Sequence, residues 1–281
     1  MEVFSAPQEA AAWSANARWK GLRVGFVPTM GALHAGHASL VGAALRTCDQ
    51  VVVSIFVNPL QFNDPEDLAR YPRQPRTDHE LLEQVGCHAL FMPSEKALFQ
   101  GLGKRTFDLG GLDTHWEGPD RPGHFQGVVN VVERLFLYTR PDVAYFGEKD
   151  RQQLAIIRHV AKELHWPERI VGCPTLREPD GLAMSSRNMR LDPDERRSAT
   201  LLHQALLAVE TAARTSPPAS AREAGLTVLA GDPLVHVDHL GIADALTLEP
   251  LVQWPAHGSA VVLLAARVGA VRLIDNLSLR L

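Results

Sequence analysis

Residues 25–41 read GFVPTMGALHAGHASLV. An apolar run ends at Pro28, a turn of small residues follows, and two histidines, His34 and His37, stand three residues apart with Gly36 between them. A helix starting near His37 would point orphan backbone N–H groups and the positive end of its dipole back at the strand end, a combination that favours a phosphate. Gly31, Ala32, Ala35 and Gly36 have no bulk to block it, and Gly36 allows close backbone approach. His34 and His37 can donate to phosphate oxygens and offset charge that develops there during transfer. An isolated H-x-x-H reads more readily as two ordinary polar residues on an exposed turn, and as a metal site it lacks an obvious third ligand. The strand, the turn glycines and the helix start together favour phosphate.

Outward from this stretch the chain alternates between two periods. Helix-like spacing runs from Pro7 to Lys20, a short apolar strand from Arg23 to Val27, and helix again from Ala38 to Thr47. Val51–Val57 is apolar almost throughout, as a strand covered on both faces should be. A helix over Pro75–Gly86, a strand at His88–Pro93, a helix over Gln126–Tyr138, a strand at Asp142–Gly147, a helix over Arg151–Leu164 and a strand at Glu168–Pro174 follow. This alternation implies right-handed crossovers and a parallel sheet, with ligands bound beyond the carboxyl ends of its strands. After about Pro174 the pattern changes. A polar stretch precedes Asp192-Pro193, which open a helix as N-cap and first residue and carry it to about Arg214. Ser216–Ser220 reads as a linker, followed by a short helix and two or three strands, the mark of a second, α+β domain.

Composition excludes several function classes. The 281 residues are 46% hydrophobic with a formal net charge of −4, so the chain as a whole has no electrostatic footprint for nucleic acid. Cys48, Cys87 and Cys173 are far apart and form no C-x-x-C pair, which reads as buried thiols in a reducing compartment. The first residues carry two acids before any base, unlike a secretory signal, and no apolar run approaches the roughly 20 residues of a membrane span. A soluble cytoplasmic protein with no membrane partner is the expectation.

The string Pro28–His37 resembles the H-x-G-H signature of the nucleotidyltransferase superfamily, which shares its nucleotide-binding design with class I aminoacyl-tRNA synthetases. DGLAMSSRN, Asp180–Asn188, is similar to the second signature of that superfamily, the loop that clamps the triphosphate. SIFVNPLQF, RPGHFQGV, FGEKDRQQL and RLIDN narrow the resemblance to the pantothenate synthetase (pantoate–β-alanine ligase) family, in order over nearly the whole chain. That resemblance implies an α/β architecture: a Rossmann-like parallel-sheet domain for ATP and pantoate over residues 1–175, and a smaller α+β C-terminal lid over residues 176–281. It implies ATP, pantoate and β-alanine as partners, magnesium accompanying ATP, a pantoyl-adenylate intermediate with release of pyrophosphate and AMP, and commonly a homodimer.

By the same resemblance His37, His34 and Lys149 are catalytic. ATP is assigned to Met30, Gly31, Ala32, Leu33, His34, Ala35, Gly36, His37, Gly147, Glu148, Lys149, Asp150, Leu176, Met184, Ser185, Ser186 and Arg187. Met30 and the residues after it are expected to line the nucleotide through backbone groups. Gln61 and Gln153 are assigned to pantoate, Gln61 also to β-alanine, with Asn58, Tyr71, Arg121 and His124 as further candidates. In physical terms Lys149 is a point charge that can neutralise an α-phosphate, and Ser185, Ser186 and Arg187 offer hydroxyls and a forked guanidinium. Asp150 reads as a contact for magnesium, for ribose, or as a helix N-cap. The amides of Gln61 and Gln153 each offer donor and acceptor atoms. Arg151 stands where the family usually has an aromatic residue, and Leu60 where Met is common.

Three rivals follow from the same residues. Another nucleotidyltransferase has no reason to keep Gln61 and Gln153 in these contexts. A tRNA-charging enzyme needs an anticodon-reading domain and a basic face. A non-catalytic nucleotide-binding module has no need of Lys149 together with the MSSR loop.

Overall fold

Apolar runs bounded by turns become the strands of a sheet in the computed structural model, which describes residues 1–279. The strands are β1 (Glu2–Phe4), β2 (Val24–Thr29), β3 (Gln50–Ile55), β4 (Ala89–Phe91), β5 (Val143–Gly147) and β6 (Arg169–Cys173), in the spatial order β1-β4-β3-β2-β5-β6. All of these pairings are parallel. β2 lies between β3 and β5, and the chain leaves those two neighbours in opposite directions. The switch point is therefore at the carboxyl ends of β2 and β5, where open α/β sheets bind ligands. The expected parallel α/β sheet is present.

By its packing the chain divides into two units. The first comprises Met1–Gly111, Arg121–Glu148 and Ile156–Pro174; the second comprises Leu112–Asp120, Lys149–Ala155 and the chain from Thr175. In the first unit Val27, Val51, Val53, Leu90 and Val143 pack with Leu40, Val41 and Ala44 of the helix Ala35–Leu45. Phe26 meets Phe136 of the helix His124–Thr139 edge-on, at 6.0 Å between ring centroids. Residues buried as fully as Val51, Val52 and Val53 each contribute about 1.5–3 kcal/mol, which is why β3 carries no alternation. Cys48, Cys87 and Cys173 are free and buried, and burial pushes the Cys87 thiol up to about 11.

The second unit is built on an antiparallel sheet of β7 (Val235–Asp244), β8 (Ala260–Val268) and β9 (Val271–Leu279), in that order. One face, with Val262, Leu264 and Leu273, packs on Leu202, Leu206 and Val209 of the helix Thr200–Ala213. The other row, with Ala243, Val261 and Leu263, packs on Leu112, Trp116 and Ala155. β8 is apolar on both faces because both are covered.

The structure differs from the reading from sequence at several elements, among them short helices at Pro65–Arg70 and Glu95–Phe99 that the reading lacks. β1 has no signal, since a three-residue edge strand shows no period. The helix expected to run to Arg214 is two helices, Pro193–Ser198 and Thr200–Ala213, although Asp192 caps the first as expected. The linker stops at Pro217, because Pro218 occupies the first turn of a twelve-residue helix, Pro218–Leu229, where its missing N–H costs nothing. The helix after β2 starts at Ala35, ahead of His37.

Candidate active site

The turn after β2 is held by two side chains, Asp78 and Thr29. Gly31 and Ala32 both have left-handed backbone, at φ 83° and 49°. For an alanine this costs about 1–2 kcal/mol, so something must hold it. Asp78, on the helix Pro75–Gln84, is 1% exposed, and its Oδ2 and Oδ1 accept the N–H groups of Ala32 at 2.9 Å and Leu33 at 2.7 Å. Thr29 Oγ1 accepts from Gly31 N–H at 3.3 Å and donates to the Ser54 carbonyl at 2.7 Å. A Cβ on Gly31 would stand 3.0 Å from Asp78 Oδ2, so only glycine lets the carboxylate so close. Burial pushes the Asp78 carboxyl up, and the two backbone bonds pull it back towards the ionised form that serves them. Of the backbone groups expected to line a nucleotide, the N–H groups of Gly31, Ala32 and Leu33 are therefore already bonded within the protein.

His34 is the N-cap of Ala35–Leu45, and its Nδ1 accepts from Gly36 N–H at 3.1 Å. His37 Nδ1 accepts in turn from His34 N–H at 3.3 Å. A backbone N–H only donates, so each Nδ1 is an unprotonated acceptor and each neutral ring carries its proton on Nε2. The rings lie 4.1 Å apart between centroids. Both imidazoles stand at one helix N-terminus, where the positive end of the helix dipole favours an anion. Of the first N–H groups of this helix, that of Gly36 is therefore taken by His34.

The turn Pro59–Gln61 carries the second group. Asn58 Nδ2 donates to Gln61 Oε1 at 3.0 Å and to the Gly127 carbonyl at 3.1 Å, and Gln61 Nε2 donates to Met30 Sδ at 3.1 Å. Donor and acceptor ends of the Gln61 amide are thereby assigned. Arg121 Nη2 and His124 Nδ1 converge on the Gln61 carbonyl at 3.2 and 2.8 Å. Gly127 is required because a Cβ there would run into the Leu60 carbonyl. Tyr71 is buried edge-on against Phe62. Gly147 and Glu148 leave the end of β5, at the switch point.

Lys149, Asp150 and Gln153 belong to the second unit, as do Leu176, Met184, Ser185, Ser186 and Arg187. Lys149 and Asp150 sit in a single 3-10 turn, Glu148–Asp150, which leads into the helix Arg151–Glu163. Leu176 and Met184 face each other across a hairpin, joined by Met184 N–H to the Leu176 carbonyl at 3.0 Å. Ser185 caps the turn Ser186–Arg190, its Oγ accepting from Arg187 N–H at 3.2 Å, and Ser186 is buried. Arg151, the departure from the family pattern, donates to the Ala245 carbonyl at 3.2 Å.

The family model for pantoate–beta-alanine ligase matches residues 2–278. A pantothenate synthetase of Porphyromonas gingivalis is 43% identical over 277 residues, covering 99% of both chains, and one from Thermus thermophilus is 48% identical over 256 residues, covering 90% of this chain and 92% of the other. A crystal structure of the Thermus thermophilus enzyme superposes with a TM-score of 0.91 at 45% identity over 99% of both chains. The chain belongs to the pantoate–β-alanine ligase family. A further solved member, from Francisella tularensis, has a TM-score of 0.79 at 33% identity, covers 99% of this chain and 97% of its own, and was crystallised in complex with beta-gamma ATP and beta-alanine.

Two polar residues of this ligase escaped the reading from sequence. Asp78 lies 45 positions from the N–H of Leu33 that it accepts, with no local pattern to mark it. Gln152, 4% exposed, accepts from Glu117 N–H and donates to the Leu112 and His115 carbonyls at 2.7 and 2.8 Å, fixing the segment Leu112–Asp120. The family resemblance assigns a role to its neighbour Gln153, whereas nothing local in the sequence distinguishes Gln152.

Proposed function

We propose that this ligase condenses pantoate with β-alanine in two steps at the expense of ATP. A pantoate carboxylate oxygen attacks the α-phosphorus, the bond from that phosphorus to the bridging oxygen breaks, and pyrophosphate leaves. The β-alanine amine then attacks the acyl carbon of pantoyl adenylate, loses a proton and expels AMP. The observation that carries this reading is the His34–His37 pair, with both Nδ1 atoms engaged by backbone N–H and the protons held on Nε2 at the helix N-terminus beyond β2. Such a pair stabilises negative charge growing on phosphate oxygens as pyrophosphate separates. Lys149 is assigned to the α-phosphate, and Ser185, Ser186 and Arg187 to the β- and γ-phosphates. Gln61, oriented by Asn58 and Met30, and Gln153 are assigned to pantoate, with Gln61 also meeting β-alanine. The homologue crystallised with beta-gamma ATP and beta-alanine supports both partners.

Magnesium enters this scheme with ATP as part of the substrate. Asp150, an exposed carboxylate, suits an ion that keeps most of its waters and takes its other ligands from phosphate. Among the described residues no three His, Cys, Asp or Glu side chains form a metal cluster, and no helix is long and apolar enough to cross a membrane. A cytoplasmic homodimer belongs to the same proposal.

The test is ATP–pyrophosphate exchange without β-alanine. Labelled pyrophosphate returns to ATP only when pantoate is present, and complete reactions yield AMP. Formation of ADP and phosphate overturns the mechanism; exchange with another acid and none with pantoate overturns the substrate. A second expected result concerns the triphosphate loop. Arg187→Ala raises KM for ATP by about tenfold or more, the scale of losing charged hydrogen bonds, with a smaller effect on pantoate. Unchanged ATP affinity in that variant would reduce the loop to a connector.

A further inference from the structure

The string Arg272-Leu273-Ile274-Asp275-Asn276 carries part of the family resemblance but has no place in the chemistry above. It occupies the middle of β9, whose side chains alternate between two faces. Val271, Leu273 and Leu279 belong to the apolar cluster under the C-terminal helices, and Asp275 falls in the same row. A carboxylate 4% exposed in such a row is costly unless it is paired. Its partner is Arg177, whose Nη1 and Nη2 reach Oδ2 and Oδ1 at 2.6 and 2.9 Å. The same guanidinium donates to the Gly181 carbonyl at 3.0 Å and to the Asn276 carbonyl at 3.3 Å. Arg177 is also bridged to Ala183 across the hairpin that runs directly into Met184-Ser185-Ser186-Arg187. Asp275 thus ties the stem of the MSSR loop to β9.

On the other row, Asn276 Nδ2 donates to the Lys149 carbonyl at 2.9 Å. Four residues earlier, Arg272 makes a forked pair with Glu117 at 2.6 and 2.9 Å, and its Nε donates to Asp238 at 2.7 Å. One strand therefore anchors the lysine turn, the MSSR stem and the segment that Gln152 also holds.

We infer that Asp275 and Asn276 are positioning residues for adenylation, Asp275 acting through Arg177 on the triphosphate loop and Asn276 acting through the main chain of Lys149. The inference rests on the roles proposed for Lys149 and Arg187. Its physical basis is that a lysine ammonium rides on four flexible methylenes, so the place of its backbone decides where the charge can stand. Small misplacements of such a group are costly in rate.

Asn276→Asp keeps the side-chain shape and puts an acceptor where the donor stood. The expected result is a fall of about tenfold in the rate of pantoate-dependent exchange, with KM for ATP and pantoate within about twofold. In a Lys149→Ala background the same change has no further effect, because it acts through that residue. Asp275→Asn keeps shape and loses the charge; it raises KM for ATP about tenfold, and this effect vanishes in an Arg187→Ala background. A general loosening would instead move both constants in both variants and add to either background, which overturns the inference. So does wild-type exchange by folded Asn276→Asp. Should that variant not fold, Asn276→Ser keeps a donor of shorter reach and is expected to lose less activity; a folded Ser variant with wild-type exchange overturns the inference equally. Full activity of Lys149→Ala by itself refutes the lysine role, a separate failure.

Discussion

Asp78→Ala is expected to destabilise the first unit and abolish measurable ATP binding in whatever protein remains folded. The substitution strips the acceptors from two buried N–H groups, those of Ala32 and Leu33. Each such orphan costs about 1–3 kcal/mol, so the pair together costs on the order of 2–6 kcal/mol. A domain has only about 5–15 kcal/mol in total, so this is a large share. The left-handed backbone at Gly31 and Ala32 would then relax, and His34 and the start of the helix would lose their place relative to β2. Asp78→Asn separates the charge from the geometry. One oxygen still accepts, but an amide NH2 replaces the other and faces an N–H. Its loss should be intermediate in both denaturant midpoint and ATP affinity. Wild-type stability together with wild-type ATP affinity in Asp78→Ala would show that the loop holds its shape without the carboxylate.

The loop and its anchor also show which features a sequence reveals. The strand, the turn and the histidine pair are contiguous, so local chemistry exposes them: Pro28 ends the apolar run, small residues mark the turn, and both imidazoles lie within one helical turn. Asp78 is equally necessary to that turn, but it arrives from a different helix and looks like an ordinary acid in a polar first turn. The same contrast separates Gln61 from Gln152. The first sits in a motif, whereas the second gains its meaning only when the segment Leu112–Asp120 comes to meet it. Within that segment Trp116 packs on the sheet of the second unit and donates to the Leu248 carbonyl at 2.7 Å. Sequence order places Lys149–Ala155 with the parallel sheet, and packing places it with β7–β9. Periodicity reports what each element buries, and leaves open which distant element covers it.

Lys149→Ala is expected to lower turnover by on the order of 10²-fold or more, the scale for removing one preorganised transition-state contact. The lysine occupies a short 3-10 turn whose main chain is fixed by Asn276, so its loss should be chemical and leave the fold intact. Its proposed charge is most useful when pyrophosphate departs and the α-phosphoryl oxygens carry most negative charge. Binding of ATP before that point should change much less than the rate. A two-step mechanism gives this claim a sharper edge, because the second step starts from an acyl carbon whose activation is already complete. Supplied with preformed pantoyl adenylate and β-alanine, Lys149→Ala should make pantothenate far closer to the wild-type rate than it does from ATP and pantoate. Lys149→Arg restores the charge with a planar fork in place of a compact ammonium, so it should recover only part of the exchange rate. Near-normal turnover from ATP by a folded Lys149→Ala would remove the lysine from the adenylation step. An equal loss from ATP and from preformed adenylate would move its role to a feature that both steps share.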